Sequence, residues 1–360
     1  MTAEIWTTGI PDPRTIARHS KAAEDAGWDG FAVVDSQNLT ADSWVGLTVA
    51  AAATTTIGLG TAVTNPVTRL PAVTACAAAS VHLVSGGRVT IGIGRGDSAL
   101  SHLGRAPASV AALERYLKVL QAYLRREEVD FADLGLDDDV APGVEALNLK
   151  TRATDSRVHI VPEDLPKVLV EVSSTGPKVI EAAARHADRV MLAVGADRAR
   201  VEWGIEMARA VSPDVRIGAF VNCVAGDDLD VARDLIRGGM STFTRFSTMH
   251  GTPTGPVDDV ERETMAKLIE TYDMTHHTRG DSRQAAVLSP EFIDRFGIVG
   301  PPAACADRLN ELLGLGLDKV IIVGPSSSRG GGRDERGADR QQALAAMARF
   351  PQEVLPLLER

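Results

Sequence analysis

Short β-rich runs alternate with helical patterns almost from one end of the chain to the other, and that alternation restricts the fold to parallel βα units. Eight runs read as strands: 3–9, 30–35, 57–63, 88–94, 168–174, 189–195, 216–224 and 319–324. Helical patterns fall between them at 14–27, 42–53, 71–84, 108–127, 177–187, 198–211, 228–246 and 302–314. In the first of these, Ile16, Ala17, Ala23 and Ala26 lie near one face, and Gly27 supplies the stop. Eight strands with intervening helices in 360 residues, against the ~250 usual for the fold, predict an α/β protein of the (β/α)8 TIM-barrel type. The reading is one domain, 1–360, with a doubly wound sheet as the fallback. The surplus length sits at 128–167, acidic and irregular, and at 247–300, and both insertions are expected at the C-terminal mouth. The Gly/Ser-rich stretch 324–337 is expected to be mobile or to order on ligand binding.

Charge and cysteine content narrow the function class. A formal net charge of -10 and no basic run longer than Arg125-Arg126 offer nothing to a phosphate backbone, so nucleic acid is not an expected partner. Cys76, Cys223 and Cys305 are far apart and outside any C-x-x-C spacing, which predicts neither a disulfide framework nor a metal site. No stretch reaches about eighteen uninterrupted apolar residues, and the N-terminus carries an acid and a proline where a signal peptide would be basic and then apolar. A cytoplasmic protein without a membrane partner is expected, and its hydrophobic content of 44% is enough for a large core.

A parallel barrel carries its chemistry just past the strand C-termini, and four of these rims are informative. The second strand ends at Asp35-Ser36, which could also cap the next helix. The third runs through Ala62 and Val63 into Thr64, Asn65, Pro66 and Arg69, a change from apolar to polar that marks either a site or a proline-stiffened loop. The fourth enters G-I-G-R-G-D, where Gly92, Gly94 and Gly96 allow close backbone approach and Asp97 is the first carboxylate, or simply an N-cap. The spacing is not G-x-G-x-x-G and no strand-terminal acid follows about twenty residues on, which disfavours a Rossmann nicotinamide site. After the fifth strand, Ser173, Ser174 and Thr175 lead to Gly176-Pro177, a helix start that suits a phosphate or is an ordinary N-terminus.

Taken together these rims resemble the luciferase-like flavin and deazaflavin oxidoreductases, and among them the F420-dependent methylenetetrahydromethanopterin reductases. The resemblance is carried by AEDAGWDGFAVVD, IGLGTAVTNPVTRLPAVTA, LVSGGRVTIGIGRGDSALSHLG, SSTGPKVIEAAARHADRVML and FIDRFGIVGPPAACADRLNELLGLGLDKVIIVGPS. These blocks fall within 23–104, 173–192 and 292–326 in the family's order; 128–167 and 247–290 show no match. The resemblance implies a coenzyme ring laid across the C-terminal mouth. It also implies a non-prolyl cis peptide behind the ring, falling at Ala62–Val63. Thr64, Asn65, Gly94, Gly96, Asp97, Asp35, Ser174, Thr175, Gly176 and Pro177 would then hold ring and phosphate-bearing tail, while Trp6, Thr8, Ser36 and Arg69 would line the substrate pocket. Two departures stand out: many deazaflavin relatives read Asp-His where this chain reads Asp35-Ser36, and the reductases carry a Glu where it has Thr8. Different chemistry at the substrate end is expected.

The implied reaction is hydride transfer between coenzyme F420 and a small molecule with a C=C, C=N or C=O bond, the protein orienting the reactants and supplying a proton. Asp97 is the first expected proton-handling group and Asp35 the second. His250, His276 and His277 lie in the insertion over the pocket and are expected to be surface residues. An FMN-dependent monooxygenase or reductase shares nearly all these features, and a cofactor-less binding protein on the same barrel is the rival from another class. Relatives are commonly homodimers or homotetramers packed through early barrel helices, where this chain has the Ala-rich stretch 72–80.

Overall fold

The computed structural model describes residues 2–249, 251–326 and 333–360, with the side chains of 333–340 excepted. The first half of the chain runs β1 (Glu4–Gly9), α1 (Ile16–Asp25), β2 (Gly30–Val33), α2 (Ser43–Ala53), β3 (Gly58–Thr61), α3 (Pro71–Ser85), β4 (Val89–Ile93), α4 (Ser98–Ser101) and α5 (Val110–Leu124). A two-residue ribbon of β5 (Val129–Asp130) and β6 (Asp155–Ser156) follows. The rest comprises β7 (Leu169–Ser174), α6 (Pro177–His186), β8 (Arg189–Leu192), α7 (Arg198–Val211), β9 (Arg216–Ala225), α8 (Leu229–Phe246), α9 (Asp259–Thr271), α10 (Arg283–Ala286), α11 (Pro290–Phe296), β10 (Ile298–Gly300), α12 (Pro302–Leu313), β11 (Lys319–Val323) and α13 (Arg333–Arg349). Strands β1, β2, β3, β4, β7, β8, β9 and β11 pair in parallel in that order, and β11 pairs back to β1, closing an eight-stranded barrel. The predicted (β/α)8 architecture is therefore present, with β10 added outside on β9.

The main core lies between the outer faces of the strands and the helices, where Ile5, Leu59, Ile91, Val170, Val190 and Val320 meet helical side chains such as Leu47, Ala78, Leu117 and Ile180. Helix starts follow local chemistry. Asp42 caps α2 by accepting from the backbone N–H groups of Trp44 and Val45 at 2.9 and 3.2 Å, and α3, α6, α11 and α12 each open on proline.

Inside the barrel, Trp6, Ala32, Met191, Ala193, Phe220 and Ile321 form a separate plug. Trp6 is 4% exposed and points into this layer, its indole N–H donating to Glu4 Oε2 at 2.8 Å. The neighbouring strands make room for it with glycine: a Cβ on Gly30 would lie 2.0 Å from Trp6 Cδ2 and one on Gly58 2.6 Å from Cζ2. Trp6 is thus a floor residue and not the pocket-lining side chain expected from sequence, because its side chain packs toward Gly30 and Gly58, at the N-terminal ends of β2 and β3. Below it, Lys319 Nζ sits 3.2 Å from an indole ring centroid and donates to Glu171 at 2.8 Å; Glu171 also pairs with Arg189, which reaches Glu4 and Asp318. Burial lowers the Lys319 pKa while Glu171 opposes that shift, so this plug of charge is held by mutual pairing.

The two insertions go to opposite rims. Residues 128–167 follow the C-terminal end of α5 and precede β7, which puts them at the N-terminal face, where the Pro166 carbonyl meets His82 Nε2 at 2.9 Å. This corrects the expectation that they line the mouth: a segment inserted between a helix and its following strand returns to the strand's N-terminal end. Residues 247–300 do cover the mouth, and they build a small core of their own from Met265, Leu268, Leu288, Phe292 and Phe296 against Ile236 and Met240 of α8. Arg200, 0% exposed, pins this insertion to the barrel by donating to the carbonyls of Val194 and Pro256 and to Ser247 Oγ. Of the stretch 324–337, residues 327–332 lie outside the described residues, as does His250, and 333–337 open α13.

Candidate functional site

The strand ladders stop earlier than the sequence runs suggest. Strand β2 ends at Val33 and β3 at Thr61, so Asp35, Ser36 and the segment from Ala62 onward stand above the barrel as a rim. The Ala62–Val63 peptide is cis, as the resemblance implied. Beyond it, Thr64 re-enters through a single bridge to Ile93. Over this rim lies a cavity of about 1100 Å³.

Ala62, Val63, Asn65, Gly94, Gly96 and Asp97 border the cavity on one side, and Thr175, Gly176 and Pro177 on another. Thr8, Asp35 and Ser36 border it as well. The sequence rims thus converge, and four expected members do not. Trp6 lies in the barrel plug. Thr64 is fully buried, its hydroxyl donating to Asp35 Oδ2 at 2.6 Å. Ser174 is buried with its hydroxyl on the Val172 carbonyl, because alternate residues of β7 face opposite sides. Arg69 points back to Asp35 and to the helix-capping Asp42.

Asp35 is consequently well partnered. It is 3% exposed and accepts from Gln37 Nε2 at 2.8 Å, from Thr64 Oγ1 and from Arg69 Nη1 at 3.3 Å. Such a carboxylate organises the rim: it ties the ends of β2 and β3 together and leaves little acceptor capacity for a ligand. Asp97 does not cap α4 with its side chain; the carboxylate reaches instead to Arg245 of α8, an ion pair that spans the cavity's edge. Gly96 has φ of +78°, and a Cβ there would lie 2.7 Å from Leu100 and 2.9 Å from Asn65, so protein packing as well as ligand approach requires glycine.

Sequence reasoning missed the wall built by β9, α8 and the insertion. Phe220, Phe243, Phe246 and Met249 give it an apolar surface, with Phe243 5.9 Å from Phe220 and 5.5 Å from Phe246 between ring centroids. His277, expected at the surface, also borders the cavity. Its Nδ1 shares a hydrogen bond with Tyr272 Oη at 2.8 Å and its Nε2 one with Ser98 Oγ at 2.6 Å. Burial pushes its pKa down to about 4 against the pull of Asp97, with Arg245 and His102 adding to the lowering. The Tyr272 hydroxyl is raised by burial, and the Arg245 guanidinium lies 4.8 Å from its ring centroid. His276, its neighbour, is exposed and pairs with Asp273, as a surface residue would.

Two features fit a flat, tailed coenzyme. Asn65 borders the cavity; its Oδ1 is used by the backbone N–H groups of Val67 and Thr68, both at 3.0 Å, and its buried Nδ2 has no protein partner. A buried amide donor left without a protein partner beside a cavity suits an acceptor on a ring edge. The N-terminus of α6 has no side-chain cap, opens on the cavity through Gly176, and carries Lys178 beside it, a combination that suits an anionic tail. Among the described residues, no cluster of His, Cys, Asp or Glu is arranged to hold a metal, and no helix is long and apolar enough to cross a membrane.

Comparison with known proteins agrees with this geometry. The chain is 25% identical to the 5,10-methylenetetrahydromethanopterin reductase of Methanopyrus kandleri over 374 residues, 96% of each chain. In fold it is similar to the coenzyme F420 dependent tetrahydromethanopterin reductase from Methanopyrus kandleri, with a TM-score of 0.71 at 21% identity and full coverage of both chains. It is also similar to an F420-dependent secondary alcohol dehydrogenase solved with an F420-acetone adduct, with a TM-score of 0.68 at 16% identity and again full coverage of both. The sequence model of one family, luciferase-like monooxygenase, matches residues 2–319, and the chain belongs to that family.

Proposed function

We propose that this protein is an F420-dependent oxidoreductase that transfers a hydride between the deazaflavin and a small organic substrate with a C=C, C=N or C=O bond. The observation that carries the reading is the mouth cavity itself. It is bordered by an apolar aromatic wall, by Asn65 with its unpartnered amide donor and by an uncapped helix N-terminus with Lys178, in one continuous space. The end-to-end similarity to a methanopterin reductase supports the deazaflavin over other coenzymes.

When bound, the coenzyme supplies the hydride chemistry. The chain's own residues bind, orient and exclude water. Asn65 Nδ2 would donate to the ring edge, and Thr175, Gly176 and Lys178 would meet the phosphate-bearing tail. Phe243 and Phe246 would cover the reactants and keep water out. Thr8 and Ser36 border the substrate end, where the resembled reductases and deazaflavin enzymes carry Glu and His. Methylenetetrahydromethanopterin is for that reason not the proposed substrate.

Purified protein, freed of bound small molecules, is titrated with F420 and separately with FMN, following coenzyme fluorescence. Saturable F420 binding with weak or no FMN binding is the expected result. Tight FMN binding with none of F420 would make the protein a flavin monooxygenase or reductase, and binding of neither would favour a cofactor-less binding protein. As part of the same proposal, the protein assembles as a homodimer or homotetramer, supported by the exposed Val73 (50%) and Val84 (53%) of α3 and Val45 (53%) of α2. Light scattering of the full chain checks this, and a monomer at all concentrations would refute it.

A further inference from the structure

Hydride transfer at a carbon bearing oxygen or nitrogen needs a partner for the proton on that heteroatom, and the two carboxylates at this mouth are already engaged. Asp35 is held by Gln37, Thr64 and Arg69, and Asp97 by Arg245. Position 36, next to Asp35, is a serine. The opposite wall holds the one imidazole that both borders the cavity and is hydrogen-bonded at each ring nitrogen among the described residues, His277, in contact with Ser98. The two lie 179 residues apart, one at the start of α4 and the other in the mouth insertion. Both border the cavity.

The geometry points to Ser98 and His277 as the pair that exchanges the substrate's proton, with Tyr272 fixing the imidazole from behind. This rests on the F420 reading above and adds to it a substrate class: a carbinol and its carbonyl, or an amine and its imine. The charged and titratable groups around the imidazole are Asp97 from the β4–α4 loop, Arg245 from α8, His102 at the end of α4 and Tyr272 at the end of α9. Burial holds the imidazole neutral down to about pH 4, and the pair requires the tautomer in which Nε2 accepts from Ser98 Oγ and Nδ1–H donates to Tyr272 Oη.

In the oxidising direction the carbon–hydrogen bond breaks and its electron pair leaves with the hydride, taken up by the oxidised deazaflavin. The O–H or N–H proton of the substrate passes to Ser98 Oγ as the serine's own proton passes to Nε2. The electron pair of that O–H or N–H bond becomes the second bond between carbon and heteroatom, and the imidazolium retains Nδ1–H on Tyr272 near the Asp97 carboxylate. Reduction is the same sequence reversed, with a proton returned through Ser98 to the heteroatom.

The test compares F420-loaded wild type with Ser98→Ala and His277→Gln on a panel of secondary alcohols, ketones, secondary amines and imines. Each variant's F420 affinity is measured first by fluorescence, which also reports whether the mouth has folded. Expected is a kcat loss of about 10²-fold or more in both variants with F420 affinity retained, an acid limb near pH 4 in the wild-type profile, and loss of that limb in His277→Gln. An independent readout uses histidine-labelled, cofactor-free protein in NMR: the His277 ring titrates near pH 4, and Ser98→Ala moves its Nε2 signal. Failure of wild type to bind F420 overturns the functional reading and this inference with it. F420 binding with unchanged kcat and pH profile in both variants, with no turnover anywhere in the panel, or with a His277 signal indifferent to Ser98→Ala, overturns this inference alone.

Discussion

Asp35 shows how one residue type at one rim can be read two ways until its partners are known. At the end of β2 it looks like a proton donor for the cavity, yet three side chains claim its oxygens and its exposure is 3%. Its work is mechanical: Thr64 and Arg69 belong to the segment after β3, and the carboxylate holds that segment against β2. Asp35→Asn keeps the shape and removes the charge that Arg69 faces, and Arg69 retains Asp42 as a second partner. The expected result is a loss of about 2 kcal/mol in unfolding free energy by urea denaturation, together with weaker F420 binding as the segment from Ala62 to Asn65 loosens. A variant as stable as wild type with full F420 affinity and no turnover would instead make Asp35 a direct participant in chemistry.

At the scale of elements, α6 was legible in advance because its start is written in local chemistry: Gly176 and Pro177 open the helix, and alternating β7 residues precede it. What it presents to the cavity is the positive end of the helix at Gly176, without a side-chain cap, and an exposed lysine at the second helical position. Lys178→Glu should therefore reduce F420 affinity by roughly tenfold, an effect that shrinks as salt rises, while leaving thermal stability nearly unchanged because the side chain is exposed. Isothermal titration at two salt concentrations with a parallel melting curve checks it, and equal affinity in both proteins would remove the tail from this helix. In the insertion over the mouth, local chemistry marks the helix starts, the Asp258–Glu261 capping box of α9 and the Ser289–Pro290 start of α11, but not where the helices rest. Helices α9 to α11 are placed by Met265, Leu268, Phe292 and Phe296 meeting α8, contacts between residues far apart in the chain.

For the whole molecule, the pH dependence of stability follows from groups whose folded pKa departs from the ordinary value. His277 is lowered to about 4, and His82 and His186 are lowered by burial as well. For His277, between about pH 6.5 and 4 the unfolded chain binds a proton that the folded chain refuses, so its contribution is complete above that window and is lost as pH drops through it; His82 and His186 act in the same direction. Glu24 opens a second window further down: backbone N–H groups of Thr55, Thr56 and Ile57 hold its carboxylate at about 2, so its contribution fades as pH falls from the usual carboxylate range toward that value. Urea midpoints measured from pH 7 to 4 should fall for wild type and fall less for His277→Gln, by on the order of 2 kcal/mol at the acid end. Identical slopes would place His277 in solvent.

The alternation of strands and helices, the polar endings of the strands and the glycine and proline punctuation are local properties, and the sequence by itself determined from them a barrel with a mouth formed by the second, third, fourth and fifth rims. A period and a turn need only neighbouring residues, which is why these were readable. Tertiary structure alone decided that Trp6 belongs to the floor, that Thr64, Ser174 and Arg69 face away from the cavity, and that Asp97 and Ser98 meet Arg245 and His277 across 148 and 179 residues. Those pairings depend on strand tilt, on which way alternate side chains face, and on where an insertion comes to rest, and each of these is set by closure of the barrel as a whole.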